Sequence, residues 1–123
     1  MRCRADPGPM RSVLLPLVLG ACAAVLGACS LARDDVDALL ARGQAGEALR
    51  RLAQDDGALP HEAPPERARH GLRRGLAHLS LGDRGAARGW LLHAREIVDQ
   101  DPHALSSPDR ARLLDALRSL DAP

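Results

Sequence analysis

The sequence has no Lys, no Tyr and no Phe, one aromatic residue (Trp90), and no Cys after position 29. Each absence narrows what the chain can do. Without large aromatic side chains, a core built from Leu and Ala is thin, so marginal stability is expected of a domain this small. Without Cys in its later part, that domain has neither a disulfide framework nor a thiol nucleophile. No charge dominates either. Arg2, Arg4 and Arg11 precede Cys29, leaving 14 of the 17 arginines against 15 of the 16 acidic residues. That balance gives no global positive field for nucleic acid and is not acidic enough for a solvating tail. The missing Lys points to base composition rather than chemistry. At 123 residues the chain has room for one small domain, and a partner or further copies could supply burial that its own core lacks.

What is present begins with an apolar N-terminal segment. From Ser12 to Ala32 no residue is charged, and Arg11 stands immediately before the run. Val13, Leu14, Leu15, Leu17, Val18 and Leu19 form its apolar middle, and Gly20 to Ala24 are small. A basic start, a short apolar middle and a small-residue end make up a secretory signal. Leu26-Gly27-Ala28-Cys29 and Leu19-Gly20-Ala21-Cys22 each resemble the lipobox of bacterial lipoproteins. The resemblance implies cleavage before the Cys and acylation of its thiol. Cys29 is preferred because it ends the apolar run and is followed by Ser30 and a polar segment, with Cys22 as the alternative. The signal is thus read as residues 1–28, with Met10 an alternative start, and the mature domain as 29–123. The run is close to the ~20 residues that cross a bilayer, but Pro16, Gly20 and Gly27 weaken it as an uncleaved span. An acylated Cys29 anchors the chain to a membrane surface, stably if more than one acyl chain is attached. As the lipoprotein resemblance implies, Ser30 after the Cys, where Asp is the usual retention signal, is compatible with placement on the periplasmic face of the outer membrane in a Gram-negative host.

After Cys29 the apolar residues recur at helical intervals, and nothing alternates as a strand would. Asp34 or Asp35 is placed to cap a first helix carrying Val36, Leu39 and Leu40 on one face. Gly43 and Gly46 bracket a turn, and Glu47 to Ala53 form a second helix with Ala48, Leu49 and Leu52 inward. Pro60, Pro64, Pro65 and Gly57 mark residues 55–65 as a loop. A third helix is expected from about Glu66 to Leu81, with Leu72, Leu76 and Leu79 on its buried face. Gly82-Asp83 turns the chain into a fourth, about Gly85 to Gln100, whose stripe is Ala87, Trp90, Leu91, Ala94, Ile97 and Val98. Asp101-Pro102 ends it. Ser107-Pro108-Asp109 opens a fifth, with Leu113, Leu114, Leu117 and Leu120 buried. Short helices and short connections predict an all-α fold of antiparallel hairpins.

Residues 69–102 resemble a tetratricopeptide repeat, a helix–turn–helix unit of 34 residues. The match is carried by Gly75-Leu76-Ala77-His78-Leu79-Ser80-Leu81-Gly82-Asp83, then Ala87, Leu91 and Ala94, with Pro102 closing the unit. Leu72 and Trp90 join these as packing positions. Residues 31–53 match more weakly, with Gly43, Ala48 and Leu52 at the same five- and four-residue spacings as Gly82, Ala87 and Leu91. Gly71, Arg74 and His78 stand where the family has large apolar residues, and Pro102 falls three residues late. The resemblance implies stacked hairpins that bind other proteins, with the last helix as a cap. A small helical bundle is the other architecture the pattern allows.

Little else carries chemistry. The five histidines, His61, His70, His78, His93 and His103, lack zinc-ligand spacing; His78 is expected partly buried and able to face His93. No serine sits in a nucleophile elbow, and the glycines mark helix joints rather than a phosphate loop. Arg67, Arg69, Arg73, Arg74, Arg84 and Arg88 are the densest positive cluster. Of these, Arg69, Arg73, Arg84 and Arg88 are the candidate docking surface for an acidic segment or anionic headgroups. The expectation is a lipid-anchored helical adaptor of the cell envelope that contacts another envelope protein or a second copy of itself. It has no catalytic residue, cofactor, metal, nucleic acid or small-molecule substrate. The alternatives are a structural envelope lipoprotein, or a His-dependent metal-binding protein or enzyme.

Overall fold

Leu-rich segments separated by Gly and Pro can bury their apolar stripes only by folding back on each other, and they do. In a computed structural model, which describes residues 35–123, helix α1 runs over 35–41 and α2 over Ala45–Gln54. After a short 3-10 turn at Leu59–His61 come α3 (Pro64–Ser80), α4 (Arg84–Gln100) and α5 (Ser107–Asp121). Among the described residues there is no strand. The fold is an all-α bundle. The signal segment, both lipobox cysteines and the Asp34 cap lie outside the described residues.

Several boundaries move from where the sequence placed them. Helix α2 starts at Ala45, so Gly46 lies inside the helix and only Gly43 makes the turn. Asp35 is helical rather than a cap, and its carboxylate pairs with Arg51. Helix α3 starts at Pro64 and not at Glu66. Both prolines occupy the first turn, where backbone N–H groups have no helical acceptor and nothing is lost by Pro. Helix α4 starts at Arg84, because Asp83 caps it: Oδ1 accepts the Ala86 N–H at 3.1 Å. Ser106 rather than Ser107 caps α5, accepting the Asp109 N–H at 3.3 Å.

The two hairpins turn in the same way. At Gly43 and Gly82 φ is +73° and +78°, a left-handed conformation that side chains with a Cβ resist. The Gly43 and Gln44 N–H groups donate to Leu40 and Leu39 carbonyls at 3.1 and 2.9 Å. Gly82 and Asp83 donate to Leu79 and His78 carbonyls at 3.1 and 3.0 Å. Beyond each turn the equal spacing seen in the sequence places Ala48 and Leu52, or Ala87 and Leu91, in the core.

Helix α3 is central, packing against α2, α4 and α5. It is therefore buried on more than the single face its leucines mark: Ala68, His70, Gly71, Leu72, Gly75 and Ala77 are all buried, while Leu76 and Leu79 are half-buried. The main core joins Leu72, Leu91, Ile97, Leu105, Leu113 and Leu120, and a smaller one joins Val36, Leu39, Ala48 and Leu52. Leu114, expected inward, is exposed, and Ala116 takes the buried place on α5. Leu49 and Val98 are half-buried rather than central.

Candidate functional site

The fold gathers its unusual side chains around Trp90. Helix α3 supplies His70 and Arg74, one turn apart and so on one face. Helix α4 supplies Ala86, Gly89, Trp90 and His93, and the segment joining α2 to α3 supplies Asp56 and Leu59. The Arg74 guanidinium lies 4.6 Å from the Trp90 ring centroid, and its Nη1 donates to Asp56 Oδ1 at 2.6 Å. Only 14% of the Arg74 side chain is exposed, which strengthens a cation–π contact by excluding water. His70 meets the same ring edge-on, with centroids 5.8 Å apart at 64°. His93 makes a second edge contact at 6.4 Å and 82°.

Among the described residues His70 is the one polar side chain in the buried class, 7% exposed. Its Nε2 lies 3.3 Å from Asp56 Oδ1 but outside hydrogen-bonding geometry. Burial, and then the Arg74 charge, hold its pKa below the ordinary 6.5, against an upward pull from Asp56 and Asp55. His70 is thus neutral at pH 7. The Nε atoms of Arg67 and Arg74 are also buried without a partner among the described residues.

Beside this polar cluster lies a mostly apolar recess. Leu59, Ala86, Gly89, Trp90 and His93 line an open depression of about 520 Å³. Among the described residues nothing lies within 4 Å of where a Cβ on Gly89 would stand. The arrangement offers an aromatic edge and a shallow apolar recess backed by a buried cation.

The residues expected to pack do so unequally. Leu72, Gly75, Ala87, Leu91 and Ala94 form the α3–α4 contact, and Gly82 makes the turn. Leu76 and Leu79 lie at its margin. Trp90 is only half-buried, its ring shared between the interface and the depression. His78 does not face His93: its Nδ1 lies 3.6 Å from Asp83 at the turn. His70 faces the Trp90 ring of α4 instead, and a Cβ on its neighbour Gly71 would lie 3.2 Å from both the Trp90 carbonyl oxygen and Ala94 Cβ.

The four arginines of the expected docking surface are not gathered into one patch. Arg69 lies 3.5 Å from Glu66. Arg73 grips Asp37 of α1 with two bonds, 3.0 and 2.6 Å. Arg84 and Arg88 instead reach the end of α5, donating to the Leu120 carbonyl at 2.9 and 3.0 Å, and Arg88 also to Asp121 at 2.8 Å. There they satisfy carbonyls that the helix end leaves without partners.

Sequence reasoning missed His70, Asp56 and Leu59 as members of one site. The four-residue spacing of His70 and Arg74 was legible, but the return of the 55–63 segment over them was not. Among the described residues no three or more His, Cys, Asp or Glu side chains are grouped as a metal site would need, and no helix is long and apolar enough to cross a membrane. No protein-family model, no curated protein and no solved structure matches the chain.

Proposed function

We propose that the chain is a lipid-anchored adaptor of the cell envelope, using its helical domain to hold another envelope protein. The observation that carries this reading is Trp90. Among the described residues the core is aliphatic, and the chain's one Trp is left half-buried at the edge of a mostly apolar recess. Aromatic residues beside a cation are the usual anchors of protein interfaces, and half-buried rings lose little freedom when a partner covers them.

Two features of the described fold support the repeat-like part of the reading. The α1–α2 and α3–α4 hairpins share the same glycine turn and the same buried Ala and Leu beyond it. Helix α5 follows them singly, in the place of a capping helix. The anchor rests on the lipobox resemblance at Cys29, with Cys22 as the alternative, and with it the assignment to the periplasmic face of an outer membrane. The role is non-catalytic and needs no cofactor.

Two measurements test it. Mass analysis of the N-terminal peptide from membranes should find an acylated Cys29; an intact Met1 or Met10 terminus removes the anchor. A photo-crosslinking residue at His93 should yield one adduct of discrete mass in intact envelopes, absent from Trp90→Ala and from a probe at Leu114. An adduct of twice the chain's mass identifies a second copy as the occupant. Equal labelling at His93 and Leu114 favours a spacer that packs against the envelope without a specific partner.

A further inference from the structure

We propose that His70, Asp56 and Arg74 form an acid-released latch, holding residues 55–63 against α3 and governing how far Trp90 is uncovered. The device concerns the fold itself and stands whether or not a protein docks at Trp90.

The geometry is a shared carboxylate oxygen. Asp56 Oδ1 is 2.6 Å from Arg74 Nη1 and 3.3 Å from His70 Nε2. With His70 neutral, one anion faces one buried cation, and the set is balanced. A proton on His70 would put two cations on one carboxylate oxygen, with His70 7% and Arg74 14% exposed. Desolvation and like-charge repulsion both oppose that state.

Among the described residues few charged groups surround His70. The segment after α2 presents Asp56 and Asp55, and α3 presents Arg74. One turn before His70, α3 also carries Arg67, whose buried Nε has no partner among the described residues. Helix α4 presents the Trp90 ring, with His93 making that ring's other edge contact. Asp55 and Asp56 attract the proton, while burial and Arg74 outweigh them, so the closed cluster favours neutral His70.

Relief comes from whichever element costs least to move. The α3–α4 contact is tight: a Cβ on Gly71 would lie 3.2 Å from Ala94 Cβ. By contrast, every residue from Asp55 to Ala63 is exposed except the half-buried Leu59. The segment's internal bonds are short-range, such as Leu59 N–H to Asp55 O at 3.2 Å and Glu62 N–H to Leu59 O at 3.2 Å. Sparse burial and exposed bonds mark a region that opens before the rest. Its release admits water to His70 and removes Leu59 from the wall of the Trp90 depression.

The chain carries its own reporter, since Trp90 is its only aromatic residue of the Trp, Tyr and Phe set. Full-length protein is titrated from pH 8 to 4.5, following Trp90 fluorescence, the His70 imidazole resonance, helix content and amide hydrogen exchange. The latch predicts a fluorescence transition below pH 6.5 that tracks His70 protonation with helix content unchanged. Protection of the Leu59, His61 and Glu62 amides, corrected for intrinsic rates, should fall by up to about tenfold per pH unit through that window. His70→Gln abolishes the transition, whereas His93→Gln keeps it. If His70→Gln does not fold, agreement of the fluorescence and imidazole midpoints in the unaltered protein decides. Four results overturn the latch: a transition that survives in folded His70→Gln, loss of the transition in folded His93→Gln, helix loss at the same midpoint, or protection that stays constant while His70 titrates.

Discussion

Gly75 of α3 lies so close to Leu91 of α4 that a Cβ on it would stand 2.5 Å from Leu91 Cγ. Leu91 is fully buried and has no room to yield. The missing side chain is what lets the two helices approach. Gly75→Ala gains about 1 kcal/mol of helix propensity but must push the helices apart. Overpacking of about 1–3 kcal/mol outweighs that gain. The expected result is a lower urea midpoint with an unchanged slope. A variant at least as stable as the parent would show that the α3–α4 contact adjusts freely.

Gly82 and Gly43 should respond alike, because both turns use the same left-handed glycine. Each Gly→Ala change costs about 1–2 kcal/mol through backbone strain, as among the described residues nothing stands within 4 Å of the added Cβ at either site. Thermal melts of the two variants test the equivalence of the hairpins. A neutral Gly43→Ala beside a destabilised Gly82→Ala would limit it to sequence.

The pair between Arg73 and Asp37 joins α3 to α1 by two parallel bonds. Arg73 is 17% exposed and Asp37 44%, so solvent screens part of the attraction. Asp37→Ala should cost about 0.5–1.5 kcal/mol, more than an exposed pair. Its effect should concentrate in faster amide exchange of α1 and α2, with α4 and α5 unchanged. Uniform loss of protection would mean that α1 unfolds only with the whole domain.

Global stability should fall in mild acid because of His70. Its pKa is lowered in the folded chain, chiefly by burial, so between that value and 6.5 the unfolded chain binds more protons. The His70 contribution is complete above 6.5 and is lost as the pH falls to the folded value. Denaturant midpoints at pH 7.5 and 5.5 should differ in the parent more than in His70→Gln. Equal differences would assign the acid sensitivity to other groups.

How much of this was legible follows from the range of each interaction. Helix periodicity, the Gly43 and Gly82 turns and the buried Ala and Leu after each are local, and the spacing of a few residues carries them. Helix starts were read less well. Pro64 and Pro65 look like loop residues until the first turn of a helix, which tolerates them, is recognised. Leu114 and Ala116 exchanged roles because a run of leucines does not say which of two adjacent faces meets a neighbour.

The Trp90 site shows the division most clearly. Sequence alone determined that this would be a helical domain with one aromatic ring, no thiol and little excess charge after Cys29. Apolar stripes at helical spacing and turn residues act over a few positions, so no distant contact was needed to read them. Tertiary structure decided which histidine is buried, which arginines bind other helices, and that Asp56 returns to Arg74 beside Trp90. Those outcomes depend on how α3 is enclosed by α2, α4 and α5, and burial on several sides at once leaves no single period in the sequence.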